Sequence, residues 1–89
     1  MGEMKEKKFV TIEYIGLLSD ITKKRDEIFF VPKEVNQAIQ LIQDYIRSAY
    51  GIDKNFTVLI NKKRVSEFPY PNLQDDSAII TIVPVLSGG

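Results

Sequence analysis

A single stretch of this chain repeats with helical period, and that restricts the fold more than any other feature. Val35, Ile39, Ile42, Ile46 and Ala49 follow one another at spacings of four, three, four and three, which places them on one stripe of a helix. Gln37, Gln40, Gln43, Asp44 and Arg47 fall on the other faces. Pro32 stands just before the pattern and Gly51 just after it, the asymmetry of a helix start and stop. One apolar stripe needs one apolar partner, and the rest of the chain offers only strand patterns, so the partner is a sheet. A membrane-surface helix would carry a basic polar face, and the glutamines speak against it.

The strand patterns are short. Phe9 to Ile15 alternates, with Val10, Ile12 and Tyr14 on one face and Thr11 and Glu13 on the other. Gly16 to Lys24 reads as a connection with room for a short turn of helix. Glu27-Ile28-Phe29-Phe30-Val31 is a second strand closed by Pro32, and its short connection makes it an antiparallel neighbour of the first. Phe56–Ile60 is a third strand, followed by the turn Asn61-Lys62-Lys63, where Asn tolerates left-handed backbone. Val65 opens a short fourth strand. Phe68-Pro69-Tyr70-Pro71 is too proline-rich to pair inside a sheet, and Gln74-Asp75-Asp76-Ser77 is a polar turn. Ala78–Val83 is apolar on both faces, as a central strand should be. The order β-β-α-β-β-β predicts an α+β fold of β-grasp (ubiquitin-like) type, a mixed sheet with one main helix packed across one face. The boundaries read as a flexible N-terminal arm at 1–8, the domain at 9–84 and a flexible tail at 85–89.

At 89 residues this is one domain. Twelve basic residues balance twelve acidic ones, so no long-range field draws the chain to nucleic acid or an anionic membrane. Cysteine and histidine are both missing, which removes the thiolate nucleophile, the commonest general base and the commonest metal ligands. No apolar run approaches the ~20 residues of a membrane span, and residues 1–8 lack the apolar stretch of a signal peptide. The expected location is cytoplasmic. Lys23-Lys24-Arg25 and Lys62-Lys63-Arg64 lack interleaved aromatics and read as solvated loops. Asp75-Asp76, without further ligands at loop spacing, makes a poor metal site.

The chain runs out in Pro84-Val85-Leu86-Ser87-Gly88-Gly89. A frayed end is the plain reading of such a segment. Its chemistry allows another. Two residues without Cβ let the backbone thread a narrow channel, and a terminal carboxylate can attack an activated phosphate. The acyl-adenylate so formed is open to sulfur or an amine, and none of this needs a catalytic side chain on the carrier.

Val83-Pro84-Val85-Leu86-Ser87-Gly88-Gly89 is similar to the terminal I-P-P-V-S/A-G-G pattern of the small subunit of molybdopterin synthase (MoaD) and of its thiamine-pathway cousin ThiS. Leu59-Ile60-Asn61 resembles that family's V-x-V-N-G turn, Tyr14 to Ile21 its Y-F-A-x-L-R-E opening, and Leu73-Gln74-Asp75-Asp76 its L-x-D-G-D. The resemblance runs from Phe9 to Gly89. Asp76 and Ser77 stand where Gly and Asp are usual, Lys62 replaces the Gly after Asn61, and Val85 replaces the second Pro of the tail.

The resemblance implies a sulfur carrier. An E1-like adenylating enzyme (MoeB- or ThiF-like), using ATP and magnesium, would activate the carboxylate of Gly89. A sulfur donor would convert it to a thiocarboxylate, which the large subunit of molybdopterin synthase (MoaE-like) would use in molybdenum cofactor biosynthesis. The carrier itself would bind no cofactor or metal. Gly89 is then the reacting residue, Gly88 the clearance residue, and Leu86, Ser87 and Val85 partner contacts. A ubiquitin-like protein modifier joined to lysine through Gly89, and a plain interaction module, remain as alternatives.

The second and last strands are apolar on both faces, and one helix covers only one face. Phe29 and Val31 with Ile79 and Val83 are the expected uncovered set and so the expected partner surface. Ile80 and Ile82 continue the inward phase of Ile12 and Tyr14.

Overall fold

A computed structural model of the chain describes residues 7–52 and 55–85. The elements are β1 (Lys7–Tyr14), α1 (Leu17–Thr22), β2 (Asp26–Pro32), α2 (Val35–Tyr50), β3 (Phe56–Ile60), β4 (Lys63–Arg64) and β5 (Ala78–Pro84). A single 3-10 turn at Val65–Glu67 follows β4. The five strands form one mixed sheet in the order β2-β1-β5-β3-β4. β1 and β2 pair antiparallel, β1 and β5 parallel, and β5 and β3 antiparallel. This is the expected β-grasp arrangement, and β5, apolar on both faces, lies mid-sheet.

The core lies between the sheet and α2. Val10, Ile12 and Tyr14 from β1 meet Ile80 and Ile82 from β5, Val58 and Ile60 from β3, and Val35, Ile39, Ile42 and Ile46 from the helix. Ile12, Ile42, Ile46, Ile60, Ile80 and Ile82 are wholly inaccessible to solvent. Ala49, the last residue of the expected stripe, is exposed, because the inward stripe runs from Ile46 to Tyr50, which packs against the core. Glu34 accepts a hydrogen bond from the Gln37 N–H at 3.2 Å to cap the start of α2. Gly51 ends it in the left-handed conformation, φ 65°.

Three local expectations are corrected. β1 begins at Lys7, so Lys7 and Lys8 belong to the sheet and not to an arm. The fourth strand is Lys63–Arg64, and Val65 already lies in the 3-10 turn. A two-residue strand suffices because Asn61 and Lys62, at φ 50° and 68°, form the tight left-handed turn that matches strand twist. The Asn61 side chain then accepts from the Ile79 N–H at 2.9 Å, tying this hairpin to β5.

The third correction concerns β2. Its inward residues are Glu27, Phe29 and Val31, and Val31 is fully buried. Ile28 and Phe30 face out, with 72% and 49% of their surface exposed. Glu27 shares the inward parity although a carboxylate ordinarily marks the wet face. It is accommodated by three phenols. Tyr14 donates to it at 2.5 Å, Tyr50 at 2.9 Å and Tyr45 at 3.0 Å, and Lys24 adds an ion pair at 3.2 Å.

Candidate functional site

Two features of the sequence reading meet on the sheet: the base of the C-terminal segment and the uncovered face. β5 carries the chain through the middle of the sheet to Pro84, which pairs with Phe56 of β3. The Val85 N–H then reaches the Asn55 carbonyl at 3.2 Å. On the other flank, the Ile15 N–H donates to the Ile82 carbonyl at 3.1 Å. Arg47 lies over the Phe56 ring at 4.9 Å, pinning β3 beneath the end of α2. The base of the tail is therefore held from both sides, and Val85 itself is about half exposed. Leu86, Ser87, Gly88 and Gly89 lie outside the described residues.

The face away from α2 is built by the outward residues of four strands. Phe9 stands opposite Phe30, with ring centroids 4.6 Å apart. Thr11 lies between Ile28 on one side and Ile79 on the other. Leu59 and Val83 continue the same parity on β3 and β5. Thr81, between Ile79 and Val83, is buried and donates to the Glu13 carboxylate at 3.0 Å. The surface thus joins Phe9, Ile28, Phe30, Ile79, Leu59 and Val83 in an apolar patch that also carries Thr11, Thr57 and the Thr81–Glu13 pair.

Of the residues expected there, Ile79 and Val83 lie on this face, Ile79 with 37% of its surface exposed and Val83 half-buried. Phe29 and Val31 do not. Both pack inward, and Phe29 stacks on Tyr45 of α2 with centroids 4.5 Å apart. Their places are taken by Ile28 and Phe30, which the sequence reading put on the wrong side. The signal that separates the two phases is the set of tyrosines at 14, 45 and 50, whose hydroxyls need a buried acceptor; Glu27 is that acceptor.

The electrostatics of this cluster follow from its geometry. Burial disfavours the charged form of Glu27, but the hydrogen bonds from Tyr14, Tyr50, Tyr45 and Lys24 outweigh it and hold the carboxyl below its ordinary pKa. Burial, then the hydrogen bond to Glu27, pushes the Tyr14 phenol up. Tyr45 is pushed up by its hydrogen bond with Tyr50, by burial and by Glu27. The cluster therefore favours the Glu27 carboxylate together with the protonated phenols of Tyr14 and Tyr45. Among the described residues no group of three metal-ligating side chains occurs, and no helix is long and apolar enough to cross a membrane.

No family model matches the sequence, and no curated protein does. Solved structures do. The small archaeal modifier protein 1 of Methanosarcina acetivorans superposes with a TM-score of 0.65 at 19% identity, over 94% of this chain and 99% of that one. The HVO 2177 protein of Haloferax volcanii gives 0.63 at 12% identity, over 100% of this chain and 93% of that one. At such identities the likeness is one of fold. This chain has the β-grasp fold of ubiquitin-like proteins.

Proposed function

We propose that this protein is a sulfur carrier of the molybdopterin synthase small-subunit type, whose reacting group is the carboxylate of Gly89. The observation that supports the reading is the β-grasp fold in which central strand β5 leads directly into the Gly-Gly segment. From Val85 four residues remain, and an extended chain of that length reaches at most ~14 Å. That suits insertion into a partner's active site while the domain stays outside.

In the proposed reaction an oxygen of the Gly89 carboxylate attacks the α-phosphorus of ATP on an E1-like enzyme, and pyrophosphate leaves. A hydrosulfide delivered by the donor then attacks the acyl carbon, AMP departs with the bonding electron pair, and the sulfur gives up its proton. The product is a thiocarboxylate. The domain's part is to present the carboxylate and to dock. Docking falls to the outer face, through Ile28, Phe30, Ile79 and Val83. Ile79 and Val83 sit four residues apart on one strand, about 13 Å, so one partner can cover both beside the tail. A stable complex buries roughly 1,200–2,000 Å², more than five tail residues supply.

The second reading is a protein modifier joined to lysine through Gly89, and the fold likeness to the small archaeal modifier protein 1 supports it. The experiment is intact mass of the chain isolated from its native cell. Exchange of one oxygen for sulfur adds about 16 Da and supports the carrier. A ladder of conjugates with a Gly89 isopeptide supports the modifier, and an unchanged mass defeats both.

A further inference from the structure

Phe68-Pro69-Tyr70-Pro71 crosses the start of α2, at the end of the sheet where β1 and β5 begin and opposite the end from which the tail leaves. The segment is tied down along its length. The Val35 N–H donates to the Pro71 carbonyl at 2.9 Å, the Leu73 N–H to the Lys33 carbonyl at 2.7 Å, and the Phe68 N–H to the Val65 carbonyl at 3.1 Å. Two prolines fix φ at their own positions, and Leu73 anchors the segment in the core. Phe68 is half-buried and packs against that core. Tyr70 does not belong to it, and 51% of its surface is exposed. Its ring stands across that of Phe68, with centroids 5.7 Å apart and planes at 77°. A tethered backbone thus holds out an aromatic ring that the core does not use.

Between these rings and the first turn of α2 lies a cavity of about 290 Å³, whose walls include Glu34, Val35, Val65, Phe68 and Tyr70. Among the described residues, Glu34 is the one charged group that lines it. One of its carboxylate oxygens accepts from the Gln37 N–H at 3.2 Å, and the carboxylate keeps lone pairs for a further donor. Lys33, Arg64 and Glu67 stand next in sequence to lining residues, two cations and one anion, but none of the three lines the cavity. An anion is a poor occupant. The Val35 and Gln37 N–H groups of the first turn are already engaged by Pro71 and Glu34, and the carboxylate would repel it. A neutral apolar group would take water from that carboxylate and return no hydrogen bond. A cation meets both the carboxylate and the aromatic rings.

We infer that this cavity binds an arginine side chain of a partner protein. A guanidinium is planar, so its face stacks on a ring while its edge donates N–H groups to a carboxylate. The crossed pair Phe68 and Tyr70 beside Glu34 offers both partners. An ammonium is a compact, strongly hydrated charge and gains less beside the exposed Tyr70 and Glu34. A quaternary ammonium has no N–H for the carboxylate. The inference does not rest on the carrier reading. The cavity and the exit of the tail lie at opposite ends of the sheet, so an arginine held here leaves that exit open.

The test is amide NMR of the full chain titrated with acetyl-Gly-Arg-Gly-amide and with the same peptide carrying citrulline, which keeps the planar shape and loses the charge. Saturable shifts are expected at Glu34, Asn36, Phe68 and Tyr70. The citrulline peptide should bind about tenfold more weakly or worse, and a lysine peptide more weakly than the arginine one. Tyr70→Ala and Glu34→Gln should each weaken arginine binding about fivefold or more, while Tyr70→Phe, which keeps the ring, should retain it. Circular dichroism reports the fold of each variant. Glu34 caps α2, and if its variant does not fold, the citrulline comparison still reads the charge. Free arginine should bind more weakly than the peptide, since Glu34 repels its carboxylate. Deleting Gly88 and Gly89 should leave the titration unchanged, whatever becomes of the carrier reading. Equal binding of the citrulline or lysine peptide, tighter binding of free arginine or of acetyl-tetraproline-amide, or undiminished binding by Tyr70→Ala would each overturn the inference. So would an absence of saturation, shifts confined to the outer sheet face, or loss of binding on deleting the tail. Shifts at the same four residues that grow with protein concentration alone would assign the cavity to a second copy and overturn it as well.

Discussion

The ring of Phe29 packs against that of Tyr45, centroids 4.5 Å apart and planes tilted by 33°, and this contact joins the edge strand to the helix. It makes Phe29 a structural residue and leaves its neighbour Phe30 on the outer face. Phe29→Ala should therefore destabilise the fold by about 2–4 kcal/mol, toward the range for a packed aromatic. Phe30→Ala should cost less than ~1 kcal/mol, in keeping with an exposed position. Phe29→Asp should unfold the chain, whereas Phe30→Asp should stay folded and bind the proposed partner, a larger synthase subunit, more weakly. Urea midpoints and a binding isotherm on the same proteins check both halves.

Ile42 and Ile46 are inaccessible to solvent beneath α2. Truncating either to alanine should cost about 2–5 kcal/mol, the transfer and cavity terms acting together. Ala49→Ser, on the exposed face of the helix's last turn, should change the denaturation midpoint little. Equal effects at positions 42 and 49 would mean that the helix is rotated on the sheet.

Glu27 gives stability a dependence on acid. Its folded pKa lies below the ordinary value of 4.5, so the folded state favours the carboxylate more than the unfolded chain does. The contribution is complete above about 4.5 and is lost as pH falls through the lower folded value. Glu27→Gln should flatten the fall of the melting temperature as pH drops below about 4.5. Tyr14→Phe should cost about 1–3 kcal/mol at neutral pH, the range for a hydrogen bond to a charged group. A melting curve as steep in acid for the Gln variant as for the parent would refute the assignment.

Lys62 holds φ 68°, where a side chain costs roughly 1–2 kcal/mol that glycine does not incur. Glycine also enlarges the unfolded ensemble, so Lys62→Gly should stabilise by about 0.5–1 kcal/mol. Thermal melts of the two chains, with Lys63→Gly as a control that should destabilise, measure it.

Removing Gly88 and Gly89 should leave the melting temperature within about 1–2 °C of the parent, as terminal residues beyond the last strand generally do. The truncated chain should form no adenylate with ATP and an E1-like enzyme. Pyrophosphate release at the parental rate would sink the proposal for Gly89.

The helix, the number of strands and the central place of β5 were all legible in the sequence, because each depends on a local period and on how much apolar surface a segment must bury. The stripe Val35, Ile39, Ile42, Ile46 and the two-faced run Ala78–Val83 carry that information within themselves. The carboxylate at Gly89 is a candidate from residue type and order alone and lies outside the described residues. The phase of β2 was not legible. Ile28, Phe29, Phe30 and Val31 are all apolar, so alternation is silent, and Glu27 alone suggests the opposite phase. What settled it lies 13 to 23 residues away, in the hydroxyls of Tyr14, Tyr45 and Tyr50 that close on Glu27. A charge turns inward only when distant donors converge on it, and that convergence belongs to the tertiary structure. The same event decided that Ile28 and Phe30 face outward.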